Sequence, residues 1–144
     1  MTEHPRPAAV PRKPTLARDI RPGAFAGTGT AVTIGNFDGV HRGHQAMLEV
    51  VCQAARQRSL QPVALTFAPA PGEYFARAAG KAPPTRLQRL RDKLLCIWTV
   101  GITHIQLLRF NPAVAAMAPD DFCQQVLQSA LNAKWVIVGD DFRY

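Results

Sequence analysis

The sequence predicts an α/β fold: a parallel sheet with helices on both faces. Two observations carry that expectation. Short apolar runs of strand length alternate with longer segments of helical period, in the order strand, helix, strand, helix, strand, helix, strand. The short runs are also mainly apolar, as strands covered on both sides require. With 144 residues the chain has the size of one domain. Its 47% apolar and 19% charged residues are the balance of a globular protein and exclude a fibrous or wholly disordered one.

Residues 1–22 are rich in proline and arginine and have no period, so a disordered basic lead-in is expected there. Gly23, Gly27 and Gly29 then mark irregular loop. Residues 31–34 form the first expected strand, which runs into a loop holding Gly35, Gly39 and Gly43. A helix follows to about Arg58, with Ala46, Met47, Val50, Val51 and Ala54 as its apolar stripe. Residues 63–67 are the second strand, broken by Pro69, Pro71 and Gly72. Thr85 followed by Gln88 reads as a capping box with Thr85 as N-cap. The helix it opens buries Leu87, Leu90, Leu94, Ile97 and Trp98 and stops at Gly101. Residues 104–108 are the third strand. Pro119, Asp120 and Asp121 suit a helix start, and that helix runs to about Leu131 before a fourth strand at 135–138. Right-handed crossovers would make this a Rossmann-like layer, one domain over residues 23–144. Ligands of such sheets bind beyond the carboxyl ends of the strands. Three loops leave those ends: residues 35–44, 68–72 and 139–144.

The formal charge of +7 and isoelectric point of ≈ 10.0 suit a phosphorylated partner or simply a solvated basic face. Part of the excess lies in the lead-in, where Arg6, Arg12, Lys13, Arg18 and Arg21 face only Glu3 and Asp19. Neither paired aromatics of an RNA-binding sheet nor a GXXG clamp accompanies it, so nucleic acid is not an expected partner. Cys52, Cys96 and Cys123 are odd in number and far apart, which points to buried free thiols rather than a disulfide framework or zinc site. The longest apolar stretch, residues 94–102, is too short to cross a bilayer. Pro5, Pro7, Pro11 and Pro14 stand where a signal peptide would need an apolar run. A cytoplasmic protein without a membrane partner is expected; composition leaves the oligomeric state open.

The first loop reads Gly35-Asn36-Phe37-Asp38-Gly39-Val40-His41-Arg42-Gly43-His44. If a helix begins near residue 40 or 41, His41 and His44 project from one face and can converge on one ligand. The helix N-terminus adds free backbone N–H groups and the positive end of the dipole. Gly39 and Gly43 allow a phosphate to approach the backbone. Together these parts can cradle a triphosphate. The loop is not a Walker A motif and not a GxGxxG dinucleotide fingerprint. A purely structural loop is one alternative, and a metal site built on the two histidines is another, although no third ligand lies nearby. Metal ligands stay unassigned.

The run from Thr33 to His44 resembles the signature of the adenylyltransferase module of prokaryotic bifunctional riboflavin kinase/FAD synthetases. The HxGH part is shared by a wider nucleotidyltransferase superfamily; the longer GNFDGVH run is more specific. The resemblance continues through Leu65-Thr66-Phe67, Pro69, Pro71 and Val138-Gly139-Asp140-Asp141-Phe142-Arg143-Tyr144. It implies transfer of AMP from ATP to FMN, giving FAD and pyrophosphate, with Mg2+ accompanying ATP. His41 and His44 are then expected at the ATP phosphates, with Gly35, Asn36, Phe37, Asp38, Gly39 and Gly43 shaping the loop around ATP. Asp38 could orient a histidine, help hold magnesium or simply cap the loop. Asp141 and Phe142 are expected on the flavin side, with core packing the alternative for Phe142.

The family often shows an acidic residue before the first proline of the second loop and His or Gln between the prolines; here Ala68 and Ala70 stand in those places. The family's later Ser/Thr-rich motif ending in Arg, which closes on the ATP phosphates, and its riboflavin kinase domain do not follow within residues 1–144. The module is therefore expected to be incomplete at its C-terminus, and this piece alone to be inactive. Two other readings remain: another HxGH nucleotidyltransferase with a different acceptor, and a non-catalytic basic nucleotide-binding fragment.

Overall fold

A computed structural model describes residues 15–18, 20–38, 42–83 and 89–139. Its elements are β1 (Thr15–Ala17), β2 (Thr30–Ile34), α1 (Arg42–Arg58), β3 (Gln61–Phe67), α2 (Pro71–Ala78), α3 (Leu90–Thr99), β4 (His104–Leu108), α4 (Pro112–Ala115), α5 (Pro119–Phe122) and β5 (Ala133–Val138). Between α5 and β5 the helix continues with π-type turns over Cys123–Ala130. The strands form one sheet in the order β1-β4-β3-β2-β5, and every pairing is parallel. This is the expected Rossmann-like α/β layer.

The order locates a ligand crevice. From β2 the chain steps through β3 to β4 on one side, then returns to place β5 on the other side of β2. The direction of winding thus switches at β2, and the crevice at such a switch lies beyond the carboxyl ends of the flanking strands. The glycine- and histidine-bearing loop leaves β2 at that point.

Side chains alternate across the sheet into two cores. Ala31, Ala64 and Ile105 meet Leu48, Val51 and Cys52 of α1 and Ile97 of α3 on one face. Val32, Leu65 and Leu108 meet Val114, Phe122 and Val126 on the other. The stripe expected on α1 matches the observed one at Met47, Val51 and Ala54 and misses it at Ala46 and Val50. Leu48, Val51, Cys52 and Ala55 are buried with Ala54, whereas Val50 is 42% exposed. Both sets have helical spacing, and contact with Phe37 and Ile97 in the shared core decides the phase. The helix ends as the pattern predicts near Arg58: Ser59 takes φ 54° and Leu60 N–H closes back on Ala55 C=O at 2.8 Å, a Schellman stop.

Four further expectations are corrected. Residues 15–17 of the supposed disordered lead-in form β1, in register with His104–Gln106, and Ile20 packs on the second core; a three-residue strand has too little pattern to show in sequence. Residues 1–14 lie outside the described part. The segment after the second strand is not only a break: Pro71 opens α2 at its first position, where its missing N–H costs nothing. Strand β5 is not covered on both faces. Trp135 and Ile137 pack on the α1 core, but Val136 and Val138 are 40% and 42% exposed on an edge strand. Of the cysteines only Cys52 is buried; Cys96 is half-buried and Cys123 exposed on the outer side of its helix. On α3 Ile97 is buried, with Leu90, Leu94 and Trp98 half-buried. The capping box at Thr85 and Gln88, and Leu87, lie outside the described residues.

Candidate functional site

The loop after β2 is built from its glycine outward. Gly35 is buried, and its N–H extends the ladder to Leu65 C=O at 3.1 Å. A Cβ there would stand 3.1 Å from Cζ of Phe37 and 3.3 Å from its Cε atoms. Glycine lets the Phe37 ring fold back this closely without having to shift by a few tenths of an ångström. Phe37 itself takes φ 51°, a conformation uncommon for a bulky residue, and its ring is 0% exposed in the core beneath α1. Burial of that ring, worth about 1.5–3 kcal/mol by transfer, pins the turn. Asn36 is left exposed and Asp38 half-buried at the rim. Phe37 therefore shapes the loop from below, as a core anchor.

A second fastening comes from across the sheet. The Asn36 carbonyl accepts hydrogen bonds from Thr66 Oγ1 at 3.2 Å and from Lys93 Nζ at 2.9 Å. Lys93 Nζ also donates to Thr66 Oγ1 at 3.2 Å. Lys93 is only 8% exposed, and a buried ammonium requires such partners. Sequence reading missed it. Its signal was a lysine three residues after Leu90 and four before Ile97, on the face expected to be apolar.

His44 lies in the first turn of α1. Its ring meets the Phe37 ring edge-on, with centroids 5.4 Å apart and planes at 71°, and its Nδ1 is shielded from solvent. Phe37 thus orients the histidine as well as the loop. Gly43 is exposed in the same turn, at the positive dipole end of α1. His41 and Gly39 lie outside the described residues, as do Asp141 and Phe142.

A small cleft opens beside the loop, with a cavity of ≈ 70 Å³ bounded by Asn36, Asp38, Pro69, Glu73 and Lys93. That is too small to enclose a nucleotide, so it forms one end of a larger site. Ala68 and Ala70 also line it and offer no polar group at the two positions that depart from the family pattern. Glu73, buried in the first turn of α2, supplies a carboxylate there instead. Pro69 separates this cleft from a second, wider hollow of ≈ 560 Å³ between α2 and the loop after β4, lined by Tyr74, Arg77, Arg109, Phe110 and Asn111. The Tyr74 and Phe110 rings meet edge-on at 5.3 Å.

Elsewhere the titratable groups are structural. Burial lowers the His104 imidazole below its ordinary 6.5, the Gln106 side chain opposing. Burial raises the Cys52 thiol above 9.0, with Arg56 opposing, which makes it a poor nucleophile. Among the described residues no group of three or more His, Cys, Asp or Glu side chains could hold a metal ion, and no helix is long and apolar enough to cross a membrane.

This chain is similar to known proteins along most of its length. It is 42% identical over 116 residues to the bifunctional riboflavin kinase/FMN adenylyltransferase of Escherichia coli K12, covering 81% of this chain and 36% of that protein. It is 40% identical over 116 residues to the protein of the same description from Haemophilus influenzae, covering 81% of this chain and 37% of the relative. The chain thus spans little more than a third of these relatives. Among solved structures, a Streptococcus pneumoniae protein described as a macrolide-efflux protein superposes with a TM-score of 0.72 at 24% identity, over 91% of this chain and 50% of that one. That likeness speaks for the fold alone. Residues 26–144 match the FAD synthetase family, covering the β2 loop and strands β2 to β5, and the chain belongs to that family.

Proposed function

We propose that this chain forms the nucleotide-binding part of an FMN adenylyltransferase, which joins the AMP of ATP to FMN and releases pyrophosphate. One observation carries the proposal: at the switch point of the sheet, the β2 loop is pinned by Phe37 so that His44 and the α1 N-terminus stand together. ATP phosphates lie on that N-terminus, with His41 and His44 contributing charge. A terminal phosphate oxygen of FMN attacks the α-phosphorus of ATP. The new P–O bond forms as the bond from the α-phosphorus to the α,β-bridging oxygen breaks, and pyrophosphate carries away the electron pair. The nucleophile is already anionic, so no serine or cysteine needs activation. Alignment and stabilisation of charge on the departing pyrophosphate are the protein's contribution.

Mg2+ enters with ATP as part of the substrate. Such ions need only one or two carboxylates beside the phosphates, and Asp38 and Glu73 border the cleft. FMN lies on the other side of Pro69. The hollow there offers aromatic rings to a flavin and two guanidinium groups to an anion, and Asp141 and Phe142 are assigned to the flavin as well. The reaction takes place in the cytoplasm, where ATP and FMN are both at hand.

The test is pyrophosphate release by the complete gene product, with ATP, magnesium and one of three acceptors: FMN, phosphopantetheine or nicotinamide mononucleotide. FMN alone is expected to support turnover. His44→Ala is expected to lower it by about tenfold to thousandfold, the range for a lost charge-stabilising group. Preference for another acceptor overturns the assignment of FMN, and full activity of His44→Ala overturns that of the phosphate grip.

A further inference from the structure

We infer that Lys93 is a positioning residue for the ATP-binding loop, acting through the carbonyl of Asn36. Its stem runs along the inner side of α3, and its ammonium ends beneath the loop, 2.9 Å from Asn36 O. Thr66 on β3 completes a triangle: its hydroxyl donates to the same carbonyl and accepts from Lys93 Nζ. The carbonyl is thereby held inward by two donors, one of them charged. In a planar trans peptide the C=O and N–H point in opposite directions. Fixing the Asn36 carbonyl therefore also fixes where the next amide, that of Phe37, directs its N–H. The same peptide precedes the positive φ of Phe37, whose ring orients His44. Lys93 thus sets the loop from the polar side while Phe37 sets it from the apolar side.

The part of this inference that concerns ATP rests on the adenylyltransferase reading; the part that concerns loop order does not. The experiment separates them. Lys93→Met keeps the stem and removes the ammonium, Lys93→Arg restores a charge, and Arg91→Met removes an exposed charge from the same helix as a control. Amide hydrogen exchange of residues 35–44 is measured in each complete protein, beside the KM for ATP and for FMN. Lys93→Met is expected to speed exchange in that segment and to raise the KM for ATP about 10- to 100-fold, the range for a lost charged hydrogen bond. The KM for FMN should change less than about twofold, with Lys93→Arg recovering part of the loss. If Lys93→Met does not fold, Thr66→Val removes the shared hydroxyl and is expected to produce the same pattern at smaller amplitude. Unchanged exchange at residues 35–44 overturns the inference. So does a parallel rise of both KM values with no recovery by arginine, which marks a general loss of structure. If the unaltered protein makes no FAD, the adenylyltransferase reading falls, and the exchange result still decides the role of Lys93.

Discussion

The loops that leave β2 and β3 lie side by side at the same end of the sheet, and they are built in opposite ways. The β2 loop is tied down from within. Gly35 bonds to β3, Asn36 is held by Thr66 and Lys93, and Phe37 is sunk in the core. Its exposed face is free to carry chemistry because its buried face is so fully used. The β3 loop has Ala68 and Ala70 between and beside its prolines and takes its shape from Pro71 starting α2. Its polar contribution to the cleft, Glu73, comes from the helix instead. Function can thus sit on a loop at two levels: written in the loop itself, or supplied by the element that follows.

The largest expected effect comes from the anchor of the first loop. Phe37→Ala should cost about 3–5 kcal/mol, as other large-to-small changes of buried aromatics do, and should disorder His44 with it. Urea unfolding of the variant measures this, and a cost below about 1 kcal/mol would mean that the ring is not what pins the turn. Gly35→Ala comes next. Its methyl would press on the Phe37 ring at 3.1 Å, so about 1–3 kcal/mol is expected for overpacking. Normal stability and activity would show that the close approach is dispensable. By contrast, Ala68→Asp and Ala70→Gln in the second loop should change stability by no more than about 0.5 kcal/mol, the usual range for partly exposed positions. A larger loss would mean that the second loop is as tightly determined as the first.

A pH control protects this comparison. His104 has a folded-state pKa lowered below 6.5 by burial, so the unfolded chain binds a proton that the folded chain resists. Stability should therefore be full above pH 6.5 and decline as the pH falls from there towards the folded pKa. His104→Asn should flatten that decline in thermal melts across pH 5 to 8 (about the titration range of histidine). An unchanged slope would assign it to other groups, and pH effects on activity could then be credited to the site histidines only after those groups are found.

What the sequence made legible follows the same division. The β2 loop could be read because its chemistry is contiguous, from Gly35 to His44, and because β2 to β4 are short apolar runs separated by helical patterns. Lys93 could not be joined to it. The two ends of that bond are 57 positions apart, and only the fold brings α3 under Asn36. The phase of α1 was legible only in part, at Met47, Val51 and Ala54, for a related reason. Several stripes satisfy its period, and contacts with Phe37 and Ile97 choose among them. Helix α2 was hidden because a proline that ends one element also begins the next, and β1 because its three residues carry almost no pattern.

On the proposed function, the β2 loop holds ATP so that its α-phosphate passes to FMN. Labelled ATP tests this most directly in the complete gene product. With FMN present, label placed on the α-phosphate should appear in FAD, and label placed on the γ-phosphate should appear only in pyrophosphate. Recovery of the γ-label in a flavin product, or of the α-label only in free AMP, would contradict the account.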